Sequence, residues 1–281
     1  MTTVAVYQMP SHQRSKIIVD AMMRGIKSAG DTPILKWVHH YQHVDADIAV
    51  LYGYEGRAVN IFQEYSRYSK VVFVDLGYWG RHHGGRFAGY HKITINSRHP
   101  VSYFQDRPRP LDRFNKLNVP IKSWRNNDGH ILLCGMGAKG AQACGLVTEE
   151  WEKSVIKQIK SVTSRPILYR PKPSWRGARP INGTLYNQPQ SSFQEVLVNS
   201  HCVVSHHSNC NVDGLMEGIP SFCVDGVASA LSCGDFSKIE TPFKPGNREQ
   251  WAADLAYVQW TVPEMTDGTA WRFLKEEGMI P

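Results

Sequence analysis

The chain has 281 residues, of which 42% are hydrophobic, and it carries a formal net charge of +7 with a pI of about 9.1. That length is enough for two domains with cores of their own. No apolar run approaches the roughly 20 residues that cross a bilayer, and the start of the chain lacks the basic and apolar segments of a signal peptide. We therefore expect a cytoplasmic protein that does not enter a membrane, and the charge favours an anionic partner.

The cysteines and histidines show no metal-binding spacing. None of the six cysteines belongs to a CxxC pair, and the histidine pairs 39–40, 82–83 and 206–207 are adjacent instead of four residues apart, as in a helical zinc site. The sequence therefore predicts free thiols and no bound metal.

The first part of the chain alternates strands with helices. Strands are predicted at Thr3–Gln8, 34–38, 47–53 and Lys70–Leu76, and helices at 14–28 and Arg57–Tyr68. Apolar residues repeat at helical spacing between the strands. This alternation favours a parallel sheet with helices on both faces.

Residues 76–100 form a glycine-rich segment that mixes aromatic and basic side chains. In one interpretation it is a long surface loop whose aromatic rings enter the core. In the other it is a flexible acceptor-side surface, where basic residues bind phosphates and rings stack on an extruded base. The second interpretation selects Tyr78, Trp79, Arg81, Arg86 and Lys92.

A proline-rich and charged segment, residues 106–127, is predicted to separate two domains. We place an N-terminal acceptor-side domain at 1–125 and a C-terminal domain at 126–262. Residues 263–281 form a last helix that can cross back to the first domain. The second domain repeats the α/β alternation, with strands at 131–134 and 166–170 and helices at 148–163, 192–199 and 247–260.

The segment 201–224 is predicted to form a strand, a polar turn, a short helix and a second strand. Apolar residues 202–205 precede the turn, and Gly218 is a typical residue just past a helix end. Such a unit directs backbone N–H groups at a helix N-terminus, where an anion can bind. An ordinary β-α-β unit with a polar turn explains the same pattern.

The motif Ser208…Asp213-Gly-Leu-Met-Glu-Gly218-Ile-Pro220 resembles the donor-site signature of GT-B glycosyltransferases, which include phage DNA glycosyltransferases and capsule-sugar transferases. The resemblance implies that Asp213, where many members have Glu, binds the nucleotide ribose. It also implies that the preceding turn, with His206, Ser208 and Asn209, faces the diphosphate.

Two further segments acquire roles through this resemblance. The loop 135–140 is neither a P-loop nor a dinucleotide fingerprint, and a plain tight turn explains it equally well. GT-B enzymes use the corresponding loop against the donor diphosphate, which implies that Gly137 and Lys139 are donor residues. Arg170 and Lys172 resemble the basic residues that close the donor pocket in capsule-sugar transferases, although His is common at the Lys172 position.

An inverting transfer needs a general base for the acceptor hydroxyl. Asp75 ends the fourth predicted strand and is our first choice, with His99 second. Alternatively, Asp75 caps the following turn or pairs with Arg81. A retaining enzyme would need no such base.

The segments VDLGYWGR, NSRHPVSYFQ and YVQWTVPEMTDGTAWRFL resemble phage and prophage proteins usually regarded as DNA-modifying glycosyltransferases. The resemblance implies two Rossmann-like domains facing a central cleft and a monomeric enzyme. It also implies transfer of a sugar, with UDP-glucose the first choice of donor, to a 5-hydroxymethylated uracil or cytosine in double-stranded DNA. Two alternatives stay open: a transferase acting on a surface polysaccharide, and a non-catalytic protein that binds nucleotide sugar or DNA.

Overall fold

Residues 1–85, 87–100 and 107–281 are described by a computed structural model of the chain. They form two α/β units. The first contains Met1–Pro100, Pro108–Leu117 and Ala253–Pro281, and the second contains Asn118–Ala252.

The strands and helices are numbered here along the chain. The strands are β1 (Thr3–Gln8), β2 (Thr32–Trp37), β3 (Ile48–Tyr52), β4 (Lys70–Leu76), β5 (His91–Ile95), β6 (His130–Cys134), β7 (Ile167–Arg170), β8 (Leu185–Tyr186), β9 (Ser200–Ser205), β10 (Ser221–Cys223) and β11 (Gln259–Trp260). The helices are α1 (Gln13–Ser28), α2 (Arg57–Tyr68), α3 (Asp112–Leu117), α4 (Ala138–Ala143), α5 (Glu150–Lys160), α6 (Phe193–Val198), α7 (Asn209–Glu217), α8 (Arg248–Ala256), α9 (Val262–Thr266) and α10 (Thr269–Glu276).

The first unit is built on a six-stranded sheet in the order β11-β5-β4-β3-β1-β2. Strands β1 to β4 are parallel to one another, as the alternation of strands and helices predicted. Helix α2 buries Ile61 and Tyr65 against Ala5, Leu51 and Phe73 of this sheet. The carboxyl ends of the parallel strands therefore meet at one edge, where open α/β sheets bind ligands.

An antiparallel pair at one side of this sheet differs from the sequence expectation. Residues 91–95, assigned to the glycine-rich loop, form β5, and all five are buried. Gln259 and Trp260, assigned to the end of a helix, form β11 and pair with Lys92 and His91. Strand β5 is buried because it is hydrogen-bonded between β4 and β11.

The second unit contains a five-stranded, fully parallel sheet in the order β10-β9-β6-β7-β8. One face packs Ile131 and Val204 against Ile159 of α5. The other packs Leu132 and Val203 against a cluster that includes Leu197 of α6. Both faces are covered, as expected for a parallel sheet whose strands are continuously apolar.

The unit boundaries lie at residues 117/118 and 252/253, against the expected 125/126 and 262/263. Residues 118–125 follow the second unit because Lys122 N donates to Met216 O and Arg125 N to Gly218 O, both at 2.8 Å. The chain rejoins the first unit within α8. There Asp254 accepts from Arg109 N at 2.7 Å, and β11 then joins the first sheet.

The sequence also led to expectations about membrane-spanning helices and about the cysteines. None of their helices has the length and apolar character to cross a membrane. All six cysteines have free thiols, and Cys134, Cys202 and Cys223 are buried.

Candidate functional site

The order of the second sheet reverses between β6 and β9. The chain continues from β6 to β7 and β8 on one side, whereas β9 and β10 lie on the other. Such a switch point opens a crevice at the carboxyl ends of the two central strands, and this crevice is the usual ligand site of an open α/β sheet. Residues 135–137, after β6, and residues 206–208, after β9, flank it.

The glycine-rich turn after β6 is tightly enclosed. A Cβ atom on Gly135 would lie 2.8 Å from the Tyr169 ring, and one on Gly137 would lie 3.1 Å from Trp175 Cβ. Gly137 also has a φ of +74°, which disfavours a side chain. The predicted Gly137 is therefore required by the shape of this turn.

A buried carboxylate supports the same turn. Glu152 of α5 is 1% exposed, and its Oε1 accepts a hydrogen bond from Met136 N at 2.9 Å. Its Oε2 and the Tyr169 hydroxyl are buried without a hydrogen-bond partner among the described residues. Burial also raises the pKa of Tyr169 above its ordinary value. Nothing local in the sequence indicates this contact, because Glu152 and Met136 are 16 positions apart.

The turn after β9 begins α7 with a capped N-terminus. Ser208 is the N-cap, and its side chain accepts from Cys210 N at 3.2 Å. Ser208 N donates in turn to Ser205 Oγ at 2.9 Å. Gly218 ends the helix in the left-handed conformation, with a φ of +76°, as its position in the sequence predicted.

Asn211 holds this β-turn-α unit together from inside. It is fully buried, and its amide donates to Val203 O at 3.2 Å and to Ser221 Oγ at 2.6 Å. Its Oδ1 accepts from Ser205 Oγ. These bonds tie β9, β10 and α7 to one another. An asparagine among apolar residues in a short helix was a signal for this role that sequence analysis did not use.

The remaining predicted donor residues of this turn lie together. Asn209 is the first residue of α7, and Asp213, four residues later, lies on the same face of the helix. Both are half-buried, as are His206 and His207. The arrangement puts backbone N–H groups, an amide and a carboxylate within two helical turns.

The predicted basic donor residues divide into two kinds. Lys139, in the first turn of α4, and Lys172, after β7, are exposed. Arg170 is 6% exposed, and its guanidinium donates to Asn187 Oδ1, Ser191 Oγ and three backbone oxygens of residues 188–191. These bonds make Arg170 the residue that fixes the loop 187–191, in contrast to the pocket-closing cation that the resemblance implied.

In the first unit, Asp75 lies near the carboxyl end of β4 and is half-buried. Its Oδ1 accepts from Leu76 N at 2.8 Å. Arg81 Nε donates to Gly77 O at 2.5 Å, and no ion pair joins it to Asp75 within the described ranges. The local hydrogen bond agrees with a turn-capping role and leaves the second carboxylate oxygen at the strand end.

A group of polar side chains lies near Asp75. Burial lowers the pKa of His91, whose Nδ1 is 2.8 Å from a backbone carbonyl oxygen and whose Nε2 is buried without a partner in the described residues. The Tyr52 ring, at the end of β3, lies 6.2 Å from His91 and 5.5 Å from His12. Arg14 NH1 reaches the Tyr52 hydroxyl at 3.5 Å. His12, Arg14 and Tyr52 were not predicted as site residues, although Tyr52 lies near the end of a predicted strand.

The proposed DNA surface is largely part of the core. Tyr78 and Trp79 are 4% and 7% exposed, and their backbone N–H groups both donate to the Gln259 side chain. Lys92 is 6% exposed and donates from Nζ to Arg98 O at 2.7 Å. This burial corrects the expectation for these three residues, because they present little surface to a base or a phosphate.

Three further residues predicted in this region are Arg81, Arg86 and His99. Arg81 is half-buried and bonded to its own loop. Arg86 lies outside the described residues. His99, the second candidate base, is half-buried, and its backbone N donates to Ser97 Oγ at 3.2 Å.

A cavity of about 280 Å³ opens in the first unit beside the edge strand β2. Its lining combines aromatic rings with polar side chains, including Trp37, His40, Tyr41, His43 and Asp45. Trp37 is 37% exposed, so one aromatic surface is available for contact.

No protein-family model matches the sequence, and no curated protein matches it. Two solved structures from Thermosulfurimonas dismutans resemble the chain over nearly its whole length. The β-Kdo 2,4-transferase of KpsC has a TM-score of 0.56 at 12% identity and covers 92% of each chain. The β-Kdo 2,7-transferase of KpsC has a TM-score of 0.52 at 11% identity and covers 96% of this chain and 99% of the other. These neighbours are GT-B glycosyltransferases, and the chain has their fold of two Rossmann-like domains.

Proposed function

We propose that the protein is a glycosyltransferase that binds a nucleotide sugar at the carboxyl edge of its second sheet. The observation that carries this proposal is the crevice between β6 and β9, with a glycine turn on one flank and the capped N-terminus of α7 on the other. Helix N-termini and oriented N–H groups stabilise negative charge. A leaving nucleoside diphosphate carries such charge.

Five of the predicted donor residues have a role in this proposal. Ser208 and Asn209 bind the diphosphate at the start of α7, and Asp213 accepts hydrogen bonds from the ribose hydroxyls. The exposed Lys139 and Lys172 add positive charge beside the phosphates. A UDP-sugar, with UDP-glucose as the first choice, is the proposed donor.

Asp75 is the proposed general base. Its carboxylate removes the proton of an acceptor hydroxyl, the oxygen attacks the anomeric carbon, and the diphosphate leaves with the bonding electron pair. The position of Asp75 at a strand end, with one oxygen outside the local hydrogen bond, supports this role. His99 is the second candidate.

A saccharide is the acceptor that we favour. The cavity beside Trp37 offers an aromatic face for the apolar side of a sugar ring and polar groups for its hydroxyls, a combination typical of small-ligand pockets. The similar KpsC structures are sugar transferases by their description. The burial of Tyr78, Trp79 and Lys92 also weakens the case for a DNA surface.

DNA that contains 5-hydroxymethylated pyrimidines is the second candidate acceptor. The net charge of +7 favours it, because cationic proteins bind nucleic acid through phosphate contacts. The exposed His82 and His83, next to Arg81, belong to the loop that the sequence assigned to DNA.

Mass spectrometry of reaction products separates these possibilities. The protein is incubated with a panel of nucleotide sugars that includes UDP-glucose and an activated Kdo donor. The acceptors are a Kdo-terminated oligosaccharide and hydroxymethylated duplex DNA. We expect a hexose or Kdo mass increment on the saccharide. Labelled DNA would establish the second candidate, and donors that stay intact with every acceptor would contradict the transferase proposal.

A further inference from the structure

A thiol and two imidazole groups meet at the carboxyl edge of the second sheet. Cys144, directly after α4, has its Sγ 3.7 Å from His207 Nδ1. His206 Nδ1 lies 3.0 Å from the same atom. One ligand atom from each of the three residues lies within 4.8 Å of the other two. Cys144 and His207 are 63 positions apart, so the fold assembles this group where the sequence shows no metal motif.

Two of the three separations fit a tetrahedral metal ion, and the third, between Cys144 and His206, is no more than 4.8 Å. Zinc binds cysteine sulfur at about 2.3 Å and histidine nitrogen at about 2.0–2.1 Å. In tetrahedral geometry, these bonds separate a sulfur from a nitrogen ligand by about 3.5 Å and two nitrogens by about 3.4 Å. The observed separations of 3.7 Å and 3.0 Å differ from these values by less than half an ångström. We propose that Cys144, His206 and His207 bind a zinc-type divalent ion.

The donor set determines which ions this site takes. One thiolate and two imidazoles suit zinc and its spectroscopic substitute cobalt, whereas magnesium and calcium prefer oxygen ligands. All three residues are half-buried, and the Trp151 and His206 rings form a T-shaped pair with centroids 5.5 Å apart. Three protein ligands leave a fourth position for water or an oxygen ligand, as in open zinc sites.

Binding of the metal ion would also move two protons, one from a thiol and one on an imidazole ring. The ion replaces the thiol proton of Cys144, which is released to solvent. The imidazole that holds the proton between the two Nδ1 atoms moves it to its own Nε2, so that both Nδ1 atoms can coordinate. The bound ion would tie the end of α4 to the turn between β9 and α7, whatever reaction the protein catalyses.

A cobalt titration tests the site directly. Chelator-treated full-length protein is titrated with Co²⁺ while absorption and proton release are recorded, and Zn²⁺ is then added. We expect one equivalent of cobalt, a near-ultraviolet sulfur-to-cobalt band, release of one proton and displacement by zinc. Cys144→Ser should remove the sulfur band. His207→Gln should weaken binding by at least the roughly 10–100-fold that the loss of an outer-shell partner costs.

Matched variants identify adventitious binding. Cys233→Ser changes another half-buried thiol, and His83→Gln changes another adjacent histidine pair. Neither should alter the titration. The proposal is overturned if the wild-type protein binds no stoichiometric cobalt, or if the sulfur band survives in Cys144→Ser. If Cys144→Ser does not fold, the rise in melting temperature that zinc causes must be smaller in His207→Gln than in the wild-type protein, or the proposal fails.

Discussion

Asp213 is the side chain on which the donor assignment depends most. It is half-buried on α7, on the same helical face as Asn209. Asp213→Ala removes the acceptor of the ribose hydroxyls, and hydrogen bonds to a charged group contribute about 1.5–3 kcal/mol. We therefore expect the Kd for UDP, measured by calorimetry, to rise on the order of ten- to a hundredfold.

Asp20→Ala is the matched control, because Asp20 is an exposed carboxylate on α1 of the other unit. It should leave the affinity for UDP unchanged. Equal affinities for UDP in the wild-type protein and Asp213→Ala would show that the ribose is bound elsewhere.

Asp75 can be tested separately from donor binding. Asp75→Asn is nearly isosteric and retains an oxygen that can accept from Leu76 N, so the fold and the affinity for UDP should persist. The loss of a general base typically lowers the rate by about 10²–10⁴-fold. Steady-state kinetics with saturating donor measures this effect. A variant that turns over at the wild-type rate would exclude Asp75, and His99→Gln would become the decisive variant.

Some site residues can be predicted from the nearby sequence, whereas others have roles that depend on partners elsewhere in the chain. Gly218 follows from a local rule, because a positive-φ glycine just past a helix end is determined within a few residues. Ser208 and Gly137 were predicted through the resemblance of their segments to donor-site motifs. Glu152 acts through a partner 16 positions away, and Asn211 acts through partners 6 to 11 positions away. Arg170 ends β7 just before a basic loop, and only its bonds to residues 187–191 reveal a structural role.

At the scale of elements, Asp31 attaches α10 to the first sheet. Its carboxylate accepts from Trp271 Nε1 at 2.9 Å, from Lys275 Nζ at 2.8 Å and from Thr2 N at 3.0 Å. Burial alone would raise its pKa, but the hydrogen bonds from Lys275 and Trp271 lower the pKa below its ordinary value. The ionised form is therefore the one that stabilises the fold.

Asp31→Asn should lower the free energy of unfolding at pH 7 by about 1–3 kcal/mol, because Lys275 loses its charged partner. A depressed pKa contributes stability above the unfolded value of about 3.9, and this contribution is lost as the pH falls through the folded value. Urea unfolding at pH 7 and at successively lower pH measures both the loss of unfolding free energy and its dependence on pH. The difference between variant and wild type should shrink below about pH 4, and a difference independent of pH would contradict the linkage.

Replacement of Asn211 tests whether its buried hydrogen bonds stabilise the turn between β9 and α7. Asn211→Ala leaves Val203 O, Ser221 Oγ and Phe222 O without their shared donor. Each lost hydrogen bond contributes about 0.5–1.5 kcal/mol, so thermal unfolding should occur at a lower temperature. Asn199→Ala, an exposed asparagine after α6, is the control. If Asn211→Ala unfolds at the same temperature as the wild-type protein, the hydrogen bonds of Asn211 do not stabilise the turn.

Some strands and helices are predicted with the correct bounds, whereas others are not predicted at all. Strands β1 and β4 and helix α2 have the predicted bounds, because their apolar patterns are regular over several residues. Strands β5 and β11 were not predicted. Lys92 pairs with Gln259, and no local pattern indicates that such distant residues become neighbours.

At the scale of the whole molecule, two Rossmann-like units follow from the alternation of strands and helices and agree with the KpsC transferase structures. Charge and composition indicate neither sugar nor acceptor, since a net charge of +7 favours any anionic ligand. The chemistry depends on a few side chains at strand ends, which the fold positions but does not specify.

Hydrogen exchange measured by mass spectrometry, with and without UDP, tests the central claim that the nucleotide binds at the β6–β9 crevice. The account predicts slower exchange at residues 135–139 and 206–213, because both segments would contact the bound nucleotide. Peptides of residues 32–45, around the first-unit cavity, should exchange at the same rate with and without UDP. Unchanged exchange at both crevice segments under saturating UDP, or slowing confined to residues 32–45, would contradict the account.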